Sequence, residues 1–550
     1  MTRILKRFFF LPVLMVAVTA VSLSALRDES APVSKVAPDP QAALSKGVEF
    51  ELAERWEDAV VCYETALRKF PDDQGLTYAL RRARIQMSIT RRYLDDSYQA
   101  MLKASDKEAA ARLLVEVFDK ISTGYLNSIS ITRFTAHGTE SLYMALVNSR
   151  FVNDNVRPDL ANNVASVRSV LLEQYWNREV ASVPAAQKLM LQIVDLCQKR
   201  LGIPFQAVLL EYIFGGVNCL DANSMLLTVD QYRSLNLQVH GNLVGIGISI
   251  RADGDKGILL ERVFAGGPTS EGGLQGGDHI VAINGQDCVG VTTDEAATLL
   301  RGLPGSKIRL TYTTVDNKQF TQTLERRQFN VPSVTQAEML DETRGIGYIR
   351  MEHFQDNTLN ELDEAIRDLR TRGMKSLVWD LRGNPGGQLD VAYWVADRFI
   401  DQGVIVRTRG RGVQDSEVMT AGQLESYLFP LVLLVDENSA SASEIIAGAI
   451  RDHNRGVIVG RRTYGKWSVQ TILPLMSQRG MALKMTTAQF YSPADRSYPG
   501  KGLDPDVDVP VDEGATTLFF RPRKGQELIA DPDVSEAMSA LRRGLAGVGR

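Results

Sequence analysis

Histidine and cysteine are both scarce in this 550-residue chain, which has five of the first and four of the second. Cys62, Cys197, Cys219 and Cys288 lie far apart with no CxxC pair, so neither a zinc ribbon nor a disulfide-built scaffold is expected. A bridge between Cys197 and Cys219 is left open. No HExxH-type pair occurs among the histidines, which disfavours a metalloprotease, and no metal or other cofactor is expected. A charge excess is also missing: 62 basic and 66 acidic residues leave a net charge of −4, which argues against nucleic acid as a partner. With 44% hydrophobic residues the chain is not disordered in bulk, and its length exceeds what a single core supports. Several domains are expected.

One uncharged apolar run does stand out, Phe8 to Leu26, preceded by Arg3, Lys6 and Arg7 and followed by Arg27, Asp28 and Glu29. This pattern fits an export signal or a membrane anchor; small residues at Val18 and Ala20, or Ser22 and Ser24, would suit a signal peptidase. The reading favoured is an anchor in the cytoplasmic membrane. The positive flank keeps the N-terminus in the cytoplasm, which makes the rest of the chain periplasmic or otherwise extracytoplasmic.

After a linker ending near Pro40, the spacing of Gly47, Phe50, Ala59, Tyr63 and Ala66 before Pro71 suggests one tetratricopeptide-like helical unit over 41–92. It would pack on its neighbours, bind an adaptor or self-associate. Helical periodicity, as in LMLQIVDLCQKRL, then defines a platform over 93–237. From about 238 to 318 the chain turns to short β-like segments divided by glycine, VGIGISI, GILLERVF, HIVAINGQ and KIRLTYTT, with EGGLQGGD between them. These residues resemble a PDZ domain of the kind found in bacterial processing proteases. The resemblance implies that backbone N–H groups of Val244, Gly245, Ile246 and Gly247 gather a peptide's terminal carboxylate. Strand addition would supply affinity, with Ile246, Ile248 and the helix TTDEAATLLRGL as groove walls.

Past a polar stretch, Gln336 to Arg344, strands and helices alternate over 319–510, and a tail with a helix occupies 511–550. One apolar strand, SLVWDL, runs into DLRGNPGG, whose glycines should expose backbone N–H groups before a helix begins near Leu389. Another, PLVLLV, runs through DENSASAS into an alanine- and glycine-rich helix starting near Ser441. A serine at such a corner sits at the positive end of a helix with room for substrate, but needs a base. Asp452, His453 and Lys466 are the candidates. Ser439 and Ser443 read as turn and helix-capping or packing residues, and Asp452 as a structural acceptor.

Together, LDANS near Leu220, the PDZ tract, DLRGNPGG, NSASASEIIAGAIRDH, TYGKWSVQ and GKGLDPDV make the chain similar to the carboxyl-terminal processing peptidases, over about residues 100 to 540. That family consists of Ser-Lys proteases related in fold to the ClpP and crotonase group. The resemblance implies an α/β multidomain protein in which a β-rich PDZ domain is inserted beside a ClpP/crotonase-like core, with an α-helical N-terminal region. It further implies Ser441 as nucleophile, Lys466 as general base and Gln470 as the residue orienting the lysine. The oxyanion donors would be the N–H groups of Ala442 and Gly387, the latter preferred over Gly386. Trp467 departs from the family's usual glycine after the lysine, and should either tighten the desolvation of Lys466 or crowd the groove. The implied function is an exported serine endopeptidase whose PDZ domain binds substrate C-terminal tails and recruits or licenses cleavage. The alternative is a non-catalytic scaffold with a decayed protease core.

Overall fold

Ile346–Met351, Ser376–Asp380 and Leu431–Val435 are apolar on both faces rather than alternating, as strands of a covered parallel sheet must be. In the computed structural model, which describes residues 15–16, 39–103, 107–412, 416–422, 426–510 and 524–544, they lie parallel in one six-stranded sheet. Its order is Val334–Asp341, Ile346–Met351, Ser376–Asp380, Leu431–Val435, Val457–Gly460, Val507–Asp508. The helices Thr358–Thr371, Leu389–Asp397 and Ala442–Asp452 cover one face, burying Leu362, Val395 and Ile446 among others. The C-terminal helix Pro532–Arg542 covers the other, setting Val534, Ala537 and Met538 against Val378, Val432 and Leu434.

The polar stretch at Gln336 is a finding of a different kind. It belongs to the strand Val334–Asp341, paired antiparallel with Ile346–Met351. As an edge strand it is only half covered, so its sequence lacks the apolar run of its neighbours.

A second sheet is built on the hairpin Ser468–Pro474 and Ala482–Tyr491, continued by Val404–Gly410 and Glu417–Thr420. Met225–Leu227, from the helical region, also pairs with Ala482–Tyr491, and Met15–Val16 lies antiparallel to Gln470–Thr471. Otherwise the apolar run 8–26, read as an anchor, lies outside the described residues, as does 511–523 of the tail. Among the described residues no helix is long and apolar enough to cross a membrane.

The β-rich insertion forms its own sheet, Ile248–Ala252, Ile258–Val263, His279–Ile283, Lys307–Thr313 and Gln319–Glu325, around Ile258, Leu260, Ile280 and Leu310. Gly245 and Gly247 break VGIGISI in two. The piece Asn242–Gly245 leaves this sheet to pair with Arg327–Asn330.

In the N-terminal region Pro40–Leu52 and Trp56–Lys69 make a helical hairpin, and a Cβ at Gly47 would fall 2.1 Å from the Tyr63 ring, so only glycine lets the helices meet there. The next helix, Gln74–Tyr93, joins the hairpin to the platform through Ile85, Ile89 and Tyr93. Cys197 and Cys219 are buried free thiols, which corrects the possible bridge between them; burial pushes each up to about 12.

Candidate active site

The strand Leu431–Val435 ends beside Ser376–Asp380, so the loops that follow them meet at the same edge of the sheet. There DLRGNPGG and ENSASAS are laced together. Ala440 N–H and Ser443 Oγ–H both donate to Asn384 O (3.0 and 2.9 Å), Ser439 Oγ–H donates to Leu381 O (2.8 Å), and Gly383 N–H to Asp436 Oδ1 (2.9 Å). Ser439 and Ser443 are therefore fasteners, in keeping with their reading from sequence.

Ser441, between them, is different. It caps the helix Ala442–Asp452 with φ 56° and ψ −110°, a conformation that costs an L-residue about 1–3 kcal/mol. Its hydroxyl is buried and has no hydrogen-bond partner among the described residues. Gly386 lies against it: a Cβ there would sit 2.9 Å from Ser441 Cβ and 2.9 Å from Ala442 N. The Gly386 N–H donates to Asn384 Oδ1 (2.9 Å), whereas among the described residues no hydrogen bond engages the N–H of Gly387 or Ala442.

The residue that organises this corner was not found from sequence. Glu444, fully buried one turn into the helix, accepts from Ser441 N–H (2.9 Å) and Lys466 N–H (2.8 Å) on one oxygen. Its other oxygen accepts from Thr463 Oγ1 (2.6 Å), Gly465 N (2.7 Å) and Trp467 Nε1 (3.0 Å). One carboxylate oxygen thus brings the backbones of Ser441 and Lys466 together. Burial pushes the Glu444 carboxyl up, and the donors around it pull the other way.

Lys466 is buried, 6% exposed. Burial, with the ammonium of Lys484 second, holds its amine well below the ordinary lysine value, while Glu444 and Asp221 oppose the shift. Asp221 comes from LDANS, whose Ser224 Oγ accepts from Thr486 N–H (3.1 Å) and so fixes that motif to the second sheet. Gln470 follows Lys466 on the strand Ser468–Pro474. Its Nε2 donates to Ser468 Oγ (2.8 Å) and Thr486 Oγ1 (3.3 Å), leaving a buried Oε1 with no partner among the described residues. Trp467 does not crowd an open groove: its indole is buried, stacked on Phe490 with centroids 4.7 Å apart. GKGLDPDV backs the lysine turn, Gly500 N–H donating to Gly465 O (2.8 Å) and Thr463 N–H to Leu503 O (3.0 Å).

The other candidate bases lie elsewhere. His453 caps the far end of the serine's helix, about 18 Å from Ser441 at 1.5 Å per residue, with Nε2 on Val404 O (2.7 Å). Asp452 accepts from Ala494 N–H (2.8 Å) and Arg496. In the β-rich insertion, Ile246 sends its side chain into the local core, and the N–H groups of Ile246 and Gly247 make no hydrogen bond among the described residues. No group of three or more potential metal ligands occurs among the described residues.

Residues 345–509 match the family model described as Peptidase family S41, and residues 235–313 match that of the PDZ domain. A carboxy-terminal-processing protease of Bartonella bacilliformis is 35% identical over 315 residues, 56% of this chain and 71% of its own length. A carboxyl-terminal-processing protease of a Picosynechococcus species is 34% identical over 294 residues, 53% of this chain and 70% of its own. Among solved structures, a photosystem II D1 C-terminal processing protease aligns over 73% of this chain and 93% of its own, with 23% identity and a TM-score of 0.40.

Proposed function

Because the chain belongs to the carboxyl-terminal processing proteases of peptidase family S41, we propose that it cleaves protein substrates with a Ser441–Lys466 dyad, beyond the reach of any scaffold role. The observation that carries this reading is the Glu444 oxygen shared by the N–H groups of Ser441 and Lys466, beside a lysine whose burial favours the neutral amine. Ser441 Oγ attacks the scissile carbonyl while neutral Lys466 takes its proton. The N–H groups of Gly387 and Ala442, unengaged otherwise, stabilise the oxyanion. Protonated Lys466 gives its proton to the leaving amine, and water then releases the acyl group by the mirrored step. The spare Oε1 of Gln470 suits an acceptor for the ammonium during that interval.

The Ser441 hydroxyl has no hydrogen-bond partner among the described residues, and contacts between a nucleophile and its base tighten on substrate binding. In this reading a substrate's C-terminal tail lies along the PDZ domain, with its carboxylate at the N–H groups of Ile246 and Gly247, since Val244 and Gly245 are paired with Gln328 and Arg327, and its binding promotes that tightening. We place the enzyme outside the cytoplasm on the strength of the Phe8–Leu26 run, and read the hairpin 41–92 as tetratricopeptide-like. Ser441→Ala and Lys466→Ala should each lower peptide hydrolysis by on the order of 10³-fold or more. A serine-directed probe should label Ser441 in the parent chain. Undiminished turnover in either variant would overturn the assignment.

A further inference from the structure

Both loops that make up the active corner carry an arginine five residues ahead of their working residue: Arg382 before Gly387, and Arg461 before Lys466. Both arginines turn away from the site, to the face of the sheet covered by the C-terminal helix. There one carboxylate receives them. Asp533 Oδ2 accepts from Arg382 Nη1 (2.7 Å), and Asp533 Oδ1 and Oδ2 accept from Arg461 Nη1 (2.9 and 3.0 Å). Asp531, which caps the same helix, accepts from Arg382 Nη1 as well (2.8 Å). Arg382, Asp531 and Asp533 are all buried.

We propose that Asp533 is a positioning residue of the protease, joining the oxyanion loop and the lysine loop through Arg382 and Arg461 and so fixing their relative placement. The inference rests on the Ser441–Lys466 reading. Its physical basis is that the Arg382 guanidinium has little water to turn to. Its Nε and Nη2 are taken by Asp380 (3.0 and 2.7 Å), so its remaining donors depend on the C-terminal helix. A buried cation stripped of a partner moves or draws in water. Any such move drags the backbone of Arg382, whose carbonyl accepts from Arg350 (3.3 Å) one residue before the Gly383–Asp436 fastening. Displacement of a catalytic group by about 1 Å is enough to cost on the order of 100-fold in rate.

The test compares Asp533→Asn with Met538→Ala, which loosens the same helix without touching either arginine. In Asp533→Asn, kcat should fall by about 10- to 100-fold with KM within about twofold. Affinity for a peptidyl aldehyde, whose carbonyl Ser441 would convert to a hemiacetal with its oxygen in the oxyanion hole, should weaken by the same factor. Asp533→Glu should recover part of the rate, and Met538→Ala should keep kcat near that of the parent chain. A folded Asp533→Asn with kcat within twofold of the parent, or an equal loss in Met538→Ala, overturns the proposal. Should Asp533→Asn not fold, Arg461→Gln, which cuts only the lysine-loop arm, must show the same split of kcat from KM, and a parental kcat there overturns it equally. Ser441→Ala separates the two levels: an inert Ser441→Ala beside a fully active Asp533→Asn removes only the role of Asp533, whereas an active Ser441→Ala removes the dyad itself.

Discussion

Five donors converge on Glu444, and no other residue type accepts all five at its position. In Glu444→Gln one oxygen becomes an NH₂ facing donors, and each buried donor left without an acceptor costs roughly 1–3 kcal/mol. Calorimetry of Glu444→Gln should register that loss, and its kcat should drop by on the order of 100-fold. Lys466 has the opposite sign. Its folded-state pKa lies well below 10.5, so between those values the unfolded chain binds more protons than the folded one, and stability rises with pH across that window. At neutral pH the buried Lys466 amine therefore lowers the stability of the folded chain. Lys466→Met should accordingly unfold at a higher temperature than the parent at pH 7 while being inactive. In the parent, turnover should rise as pH increases through the depressed pKa of Lys466. Ser441 and Lys466 were singled out from sequence because their surroundings follow the family pattern, and the structure places their backbones on one Glu444 oxygen. Glu444 could not, since an acid in the first turn of a helix ordinarily reads as a dipole partner facing water. One signal was in its neighbours: Ser441, Ala447 and Gly448 share its face and are all small, as on a helix face packed closely against other backbone.

At the scale of elements, strand-to-helix order in the core was legible because parallel buried strands are uniformly apolar and their boundaries are marked by glycine and polar turns. Ser376–Asp380 and Leu431–Val435 fall where SLVWDL and PLVLLV place them, and the helices begin at Leu389 and Ala442. The Val334–Asp341 strand escaped because an edge position demands little hydrophobicity, and Met225–Leu227 because a three-residue strand inside a helical region has no periodicity to read. Contact between the DLRGNPGG and ENSASAS loops was implied only by the resemblance, which pairs Gly387 with Ala442; composition and periodicity do not carry it, since it depends on backbone proximity rather than side-chain pattern. Gly386 marks that contact, with φ 103° and the site of a Cβ 2.8 Å from Ala440 O. Gly386→Ala should push the loop off the Ser441 corner, lowering kcat by at least tenfold and, through strain of about 1–3 kcal/mol, lowering the melting temperature.

On the scale of the molecule, the PDZ domain is gripped from two sides. Its helix Thr293–Leu300 meets the N-terminal helices through Arg91–Asp294 (3.0 Å) and Arg150–Glu295 (3.6 Å), pairs open enough to water to contribute little stability. Toward the protease core the contact is drier. Arg262 pairs with Glu352, Glu352 with Arg350 (3.1 Å), and Arg350 with Asp380 (3.4 Å), the first residue of DLRGNPGG. Burial alone would raise Asp380, yet Arg382, Arg350 and the Tyr348 hydroxyl hold it down to about 2. That chain of alternating charge gives the PDZ domain a physical route to the DLRGNPGG loop. A C-terminal tail peptide should accelerate hydrolysis of a short reporter by the parent chain. Glu352→Gln should abolish the acceleration while leaving the peptide's Kd within about twofold. A fluorogenic assay and a binding isotherm measure the two quantities side by side.

Trp467 adds a practical consequence. Its indole nitrogen shares Glu444 with Ser441 and Lys466, and its ring is sealed between Phe490 and Tyr498. If Ser441 and Lys466 act as proposed, acylation of the serine or charging of the lysine changes the field across that ring, which makes it an optical reporter. Stopped-flow emission should follow each turnover without any added dye, and substitution of the four other tryptophans would isolate the signal.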